Sequence, residues 1–534
     1  MTASEAPGDQ TLFARKATGL VRGWSHFDGF LYAFLVGNTI IGLWVISFAP
    51  FIEDVSVFWS ILLCAAFVAL EVIVYAAWVA TVPRAGGDYV WQTRVFGGPV
   101  GFVLAATGWW FILWHWVPIY ANITVIAVVD PVLRIFGADG TVTWLSGKDG
   151  IFVSALVVIV LSSAYVGLGM RGYAKVQRWT FFIGMAGLTA AALLLLFSSE
   201  SDFVGAYNRE AADLYGASGN AYQQTLEAGG TDWPSLYGGS LEGAITFIPF
   251  LLFFLLWPNW GATLAGEVRG VSSFWRNVRT MGAALSLSAG AALVFVVLID
   301  KTMGWDFFMA SSNAYWAGEA PIPDYPAPVM FAAWLADSAV VQFLVITGAG
   351  MLVLSWYGSV FLSSTRMIFA AAFDRVLPEW TASVSARTHV PYVALALMTV
   401  PSVLVSALYA YWGDFATYTL DATLVIAITF LGTALAGIVM PWRLRRAYEA
   451  SPVAALRIGP VPLVSAAGVG FAVFLVVNLV LWLRDDVYGV NNDDSLIYMG
   501  VLYLLAIAIY VVATIVRRRE GMGLQAVQRE IPYE

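Results

Sequence analysis

Long apolar stretches separated by short polar ones dominate the chain. Twelve of them run roughly over 28–49, 56–81, 98–128, 151–170, 178–198, 241–266, 279–299, 338–371, 391–412, 416–441, 461–483 and 496–516. A helix needs about 20 apolar residues to cross the hydrocarbon layer, and every stretch reaches that length. Those at 98–128 and 338–371 exceed it, which predicts tilt or helical turns running past the bilayer. The pattern therefore predicts an all-α membrane protein with twelve transmembrane helices. The remaining sequence divides into a polar segment over 1–27, long loops over 199–240 and 300–337, and a tail over 517–534.

Composition narrows the classes. Of 534 residues, 60% are apolar and 12% charged, about half the charged share of a soluble domain; the mean hydropathy is +0.77. Disorder, a coiled coil and an ordinary soluble enzyme are excluded. A net charge of −8 with no basic face argues against nucleic acid. The single cysteine, Cys64, allows no internal disulfide or cysteine metal cluster, and His26, His115 and His389 lack metal-ligand spacing. The polar start does not resemble a cleaved signal peptide.

Lys and Arg set the expected orientation. With the N-terminus inside, 22 of the 27 basic residues fall on the inner side and 5 (Arg134, Lys148, Arg209, Lys301 and Arg484) on the outer. Both termini are expected in the cytoplasm of a multi-pass plasma-membrane protein, with the 199–240 loop outside.

Two spans are interrupted. Span 1 contains Gly37-Asn38-Thr39-Ile40-Ile41-Gly42, and span 6 contains Trp257-Pro258-Asn259-Trp260-Gly261. Glycine and proline weaken a helix interior, and backbone groups freed in hydrocarbon need other partners. Such breaks suit a lined cavity, where half-helix N-termini face anions and loose carbonyls face cations. Their spacing of five spans predicts a 5+5 inverted repeat: spans 1–5 over 28–198, spans 6–10 over 241–441, and two further spans over 442–516. Packing glycines with a proline kink are the alternative reading.

Four segments carry a family resemblance. They are the span 1 break following Arg22-Gly-Trp-Ser-His-Phe-Asp28, Pro83-Arg-Ala-Gly86-Gly87-Asp-Tyr89 after span 2, Leu264-Ala-Gly266-Glu267-Val268-Arg269 closing span 6, and Ser363-Ser364-Thr365-Arg366-Met367 through Asp374-Arg-Val-Leu-Pro378 after span 8. Together they resemble an amino acid permease of the amino acid–polyamine–organocation superfamily, with the leucine-transporter-like fold. Two departures stand out. Trp44 follows the first break and is expected to narrow the cavity. Neutral Asn259 stands where relatives often carry an acid.

The resemblance implies a substrate site. The amides of Gly37, Asn38, Thr39, Ile40, Ile41 and Gly42 would take a carboxylate, carbonyls near Gly37 and Trp257 an ammonium, and Phe253, Phe254, Trp257 and Trp260 the side chain, with Asn259 beside them. His115 either faces this site or is a neutral histidine bonded to a carbonyl. Glu71 reads as a proton carrier or a neutral buried carboxyl, and Asp421 as a further intramembrane acid. Glu267 and Arg366 are candidates for an inner gate. Relatives bind Na⁺ between the first break and span 8 hydroxyls, or place a lysine from span 5 there. Gly184 falls at the lysine's position, so Na⁺ at Ile40, Ser355 and Ser359, H⁺, or ion-free exchange remain open. No organic cofactor is expected.

The expected function is secondary active transport of amino acids or related small organic amines by alternating access, as symporter or exchanger. A polyamine or nucleobase-like carrier and a non-transporting nutrient sensor are the alternatives. No nucleophile, metal triad or carboxylate pair was found at membrane depth to support an enzyme.

Overall fold

The computed structural model describes residues 20, 22–412, 415, 422–528 and 530; Asp421 lies outside them. Eleven helices among the described residues are long and apolar enough to cross a membrane. Span 1 is two helices, α1 (His26–Val36) and α2 (Thr39–Ile46). Next come α3 (Val57–Thr81), α4 (Asp88–Phe96) and α5, a continuous run over Gly98–Ile135 with π-helical segments at Thr107–Phe111 and Val125–Val129. Then follow α6 (Lys148–Gly167), α7 (Gly169–Phe197), α8 (Glu200–Tyr215), α9 (Ala221–Gly229) and α10 (Leu241–Leu255). After these come α11 (Phe274–Met303), α12 (Trp305–Ala317), α13 (Pro328–Trp334), α14 (Ala339–Phe373) and α15 (Tyr392–Tyr411). The chain closes with α16 (Ala422–Arg443), α17 (Leu463–Arg484) and α18 (Asp493–Arg519).

Two expectations need correction. The sixth span does not run to 266: α10 ends at Leu255, and only a 3-10 turn at Trp260–Thr263 follows before α11. Its freed backbone pairs elsewhere. The Trp24 N–H donates to the Glu267 carbonyl (3.2 Å), the Arg269 N–H to the Trp24 carbonyl (3.0 Å), and the Gly86 N–H to the Thr263 carbonyl (2.9 Å). Main-chain partners thus replace the missing helical bonds. The chain can make this approach because Gly86 and Gly87 both adopt positive φ (+91° and +40°), and a Cβ at Gly86 would meet Ala370 at 2.5 Å.

The second correction concerns the long loops, which are largely helical. α8 begins with Ser199 and Asp202 capping each other, and ends on left-handed Gly216. α8, α9, α12 and α13 form a cap around Tyr207, Phe307, Phe331 and Trp334. Arg134, at the end of α5, grips Asp324 of the cap with two bonds of 2.9 Å, and the Tyr215 hydroxyl adds a third.

Small residues let the central helices touch. Gly187 of α7 lies against Gly348 and Ala349 of α14, where a Cβ would strike backbone. Apolar residues of α18, such as Ile497, Val501 and Leu504, face outward from the bundle, as a lipid-facing helix requires. Buried polar side chains at the two interruptions include Asn38, Thr39, Asn259 and Thr263.

Candidate functional site

The first interruption is a single joint. α1 stops at Val36, Gly37 leaves helical geometry, and Asn38 caps α2. The Asn38 Oδ1 accepts the amides of Ile40 (3.1 Å) and Ile41 (3.3 Å), and its Nδ2 donates to the Leu35 carbonyl (3.2 Å). The Gly42 amide donates to the Asn38 carbonyl (3.1 Å). Three of the amides implied for a carboxylate are therefore already engaged, two of them by a side-chain oxygen lying where a carboxylate oxygen would lie. The Thr39 hydroxyl is buried without a hydrogen-bond partner.

The second interruption packs onto the first. A Cβ at Gly37 would collide with the Phe254 carbonyl and touch the Trp257 ring at 3.6 Å; one at Gly42 would lie 2.7 Å from the Phe254 ring. Glycine at 42 therefore serves an aromatic seat as well as any ligand. Four tryptophans surround the joint. Trp260 stacks with Trp116 (5.7 Å between centroids) and meets Trp109 (4.5 Å) and Trp257 (5.3 Å); Trp116 meets Trp257 at 4.9 Å. The Trp257 Nε1 donates to the Phe253 carbonyl (2.7 Å) and the Trp260 Nε1 to the Ser359 carbonyl (3.3 Å). Half-buried Phe253 bridges Trp116 and Trp44. Two narrow clefts flank the joint. One is lined by Ile40, Leu43, Trp44 and Ile346, the other by Gly37, Phe254, Trp257 and Leu285. Each has a cavity volume of about 10 Å³, room for about one water. In this state the aromatic rings fill the space between the breaks.

Other sequence candidates fall elsewhere. His115 is not at the joint: its Nε2 meets the Tyr498 hydroxyl on α18, and its Nδ1 lies 3.1 Å from the Ile112 carbonyl. Adjacent helical residues point about 100° apart, so Trp116 takes the break-facing direction and His115 turns to α18. Ser355 pairs through its hydroxyl with Thr180 of α7, and the Ser359 hydroxyl donates to the Trp356 carbonyl at 2.6 Å. Ile40 packs instead toward Ile346 and Gly350, earlier along α14.

At the Arg-rich end, Arg366 holds Glu267 with two bonds of 2.7 and 2.9 Å, both side chains buried. Two further bidentate pairs lie at that end: Arg94 with Asp374 (2.5 and 2.9 Å) and Arg178 with Asp28 (2.7 and 2.9 Å). Such pairs fix geometry as well as charge.

Glu71 is fully buried, and neither carboxyl oxygen has a hydrogen-bond partner. It faces the backbone of Asn259 and lies near Asp88. Both polar atoms of Asn259 are likewise buried and unpartnered.

The amino acid permease family model matches residues 27–509, from the start of α1 into α18. The chain belongs to the amino acid permease family. No curated protein matches it significantly. The family match makes the permease a multi-pass membrane transport protein of the amino acid–polyamine–organocation superfamily, and points to transport rather than catalysis. Sequence reading missed three residues of the permease's centre: Asp88, Tyr75 and Trp109. Asp88 sits inside the glycine-pair segment, which was a usable signal. Trp109 lies in a π-helical turn, whose altered direction no apolar periodicity shows.

Proposed function

We propose that the permease is a secondary active transporter that moves amino acids or related small organic amines by alternating access, with the substrate held between the two breaks. The observation that carries this is the contact of the interruptions: Gly37 against the Phe254 carbonyl and Trp257, and Gly42 against the Phe254 ring. A zwitterion's carboxylate would replace the Asn38 side chain on the amides of Ile40 and Ile41, and its ammonium would take carbonyls freed near Gly37 and Trp257. The side chain would lie on the tryptophans, which must part to admit it. Breaks in the first span of each half fit a 5+5 inverted repeat, which lets one half rock against the other. The Arg-rich end is cytoplasmic in this reading. The three ion pairs there close one path, and the Arg134–Asp324 link with the helical cap closes the other. Each must open in turn.

Counterflow tests the proposal. Proteoliposomes are loaded with unlabelled amino acids and diluted into the radiolabelled mixture. Saturable uptake of at least one amino acid is expected. Binding without flux, seen as a thermal shift with no uptake, would support a sensor instead. Neither binding nor flux would overturn the amino acid assignment.

A further inference from the structure

Against the sequence reading, which found no carboxylate pair at membrane depth, the centre of the bundle brings two carboxyls together, Glu71 and Asp88, and among the described residues no cation pairs with either. Glu71 and Tyr75 lie one turn apart on the same face of α3. The Tyr75 hydroxyl donates to Asp88 Oδ1 at 2.6 Å, the Thr433 hydroxyl to the same oxygen at 2.5 Å, and the Trp109 Nε1 to Oδ2 at 3.0 Å. Three donors from three helices are what an ionised carboxylate requires. Glu71 is solvated in the opposite way: it is fully buried and neither oxygen makes a well-formed hydrogen bond, the Asn259 backbone N–H being the donor that approaches it. Among the described residues no basic nitrogen lies within ion-pair distance of either acid. The titratable groups facing Glu71 are Cys64 and Tyr75 on α3 and Asp88 on α4. Asn259, which faces Glu71, and Thr433 and Trp109, which hold Asp88, carry no charge. An unpaired carboxylate in such a place is far costlier than a neutral acid, and a charged neighbour raises that cost.

We propose that Glu71, seated between Asp88 and the span 6 break at Asn259, is the permease's proton-binding site and couples proton movement to substrate movement. The inference rests on the transporter reading and adds the driving ion to it. A proton from water on one side joins a Glu71 oxygen to give the neutral acid, and leaves to water on the other side when the carboxylate re-forms. Asn259 is suited to read the difference. Its amide presents an acceptor and two donors, so one face can accept from the acid and the other can donate to the carboxylate. Because Asn259 belongs to the break itself, turning it re-aims the backbone between Trp257 and Trp260. A second link runs from Asp88 through Trp109 to Trp260, whose rings are 4.5 Å apart. Asp88 already accepts three hydrogen bonds, which leaves about one of its lone-pair sites open to a metal ion.

The test uses the full chain in proteoliposomes. Wild-type protein should accumulate labelled amino acid when the outside is acidic, with a dye reporting lumenal acidification. The limit is about tenfold for each pH unit at one proton per substrate. Glu71→Gln mimics the neutral acid. It should keep counterflow within about twofold of wild type, since exchange needs no change in protonation, but lose the pH-driven accumulation and the lumenal acidification. Glu71→Gln that still accumulates substrate against a pH gradient and carries protons would overturn the proposal. So would wild-type accumulation driven by Na⁺ and indifferent to pH. Wild-type protein inert in counterflow would instead sink the transporter reading beneath it. If Glu71→Gln does not fold, infrared spectra of wild-type protein labelled with ¹³C-glutamate decide: a neutral carboxylic carbonyl band shifted by the label is expected near neutral pH, and its absence overturns the proposal.

Discussion

At the scale of single residues, the joint in span 1 is held by what touches its glycines. A Cβ at Gly42 would lie 2.7–2.8 Å from three carbons of the Phe254 ring. Gly42→Ala should therefore destabilise the permease by about 1–3 kcal/mol of overpacking, read as a lower melting midpoint. Phe254→Leu in the same chain should recover part of that loss, because residues in contact couple in double-mutant cycles. Additive effects would show that the ring can move aside freely. The larger Gly42→Leu should cost folding as well as binding. Glycine at this position was legible in the sequence, and so was the break it makes. The ring seated on it was not, because Phe254 sits in an apolar run where any member could face the joint. His115 shows the same limit: a histidine among tryptophans marks the region, but one residue of helical rotation decides between the joint and α18.

Helix positions followed the apolar windows closely, because burial in lipid leaves little choice of length. α3, α15 and α17 fall within a few residues of the expected stretches. The windows failed where backbone bonding came from outside the element. The stretch from Leu256 is apolar enough to pass for helix, yet its main chain pairs with Ala85 and Gly86 at Thr263–Leu264 and with Trp24 at Glu267–Arg269. The cap helices were missed for a different reason: amphipathic helices outside lipid give no long apolar window, although Ser199 with Asp202 and Gly216 did mark both ends of α8. The irregular segment is tied to α14 by Glu267 and Arg366. Glu267→Ala, which strands a buried guanidinium, should cost about 3–5 kcal/mol. Glu267→Gln with Arg366→Met should restore most of that stability. The double variant should still bind amino acids yet transport more slowly, since it lacks the pair that closes the Arg-rich end. Chemical unfolding and counterflow on the same preparations check both parts. Equal losses in binding and transport would place the pair in the substrate site rather than at its exit.

The whole molecule is closed at both ends around a joint that its own side chains fill. Ion pairs seal the Arg-rich end and a helical cap covers the other, so ligand entry requires movement of whole elements. That arrangement was partly legible: the asymmetry of Arg and Lys and the two breaks are sequence features, whereas the sealed state depends on partners such as Arg134 with Asp324, 190 residues apart. The central claim is that substrate lies between the two breaks. Thiol protection tests it most directly. In a Cys64→Ala background, Thr39→Cys places a thiol where a buried, unpartnered hydroxyl now stands, and Ser218→Cys places one on the exposed cap. Alkylation is timed in proteoliposomes with and without the amino acid mixture. The account predicts that a ligand at ten times its Kd slows alkylation of Thr39→Cys by about tenfold and leaves Ser218→Cys unchanged. A transport-competent Thr39→Cys chain that reacts at the same rate with saturating amino acids would contradict it.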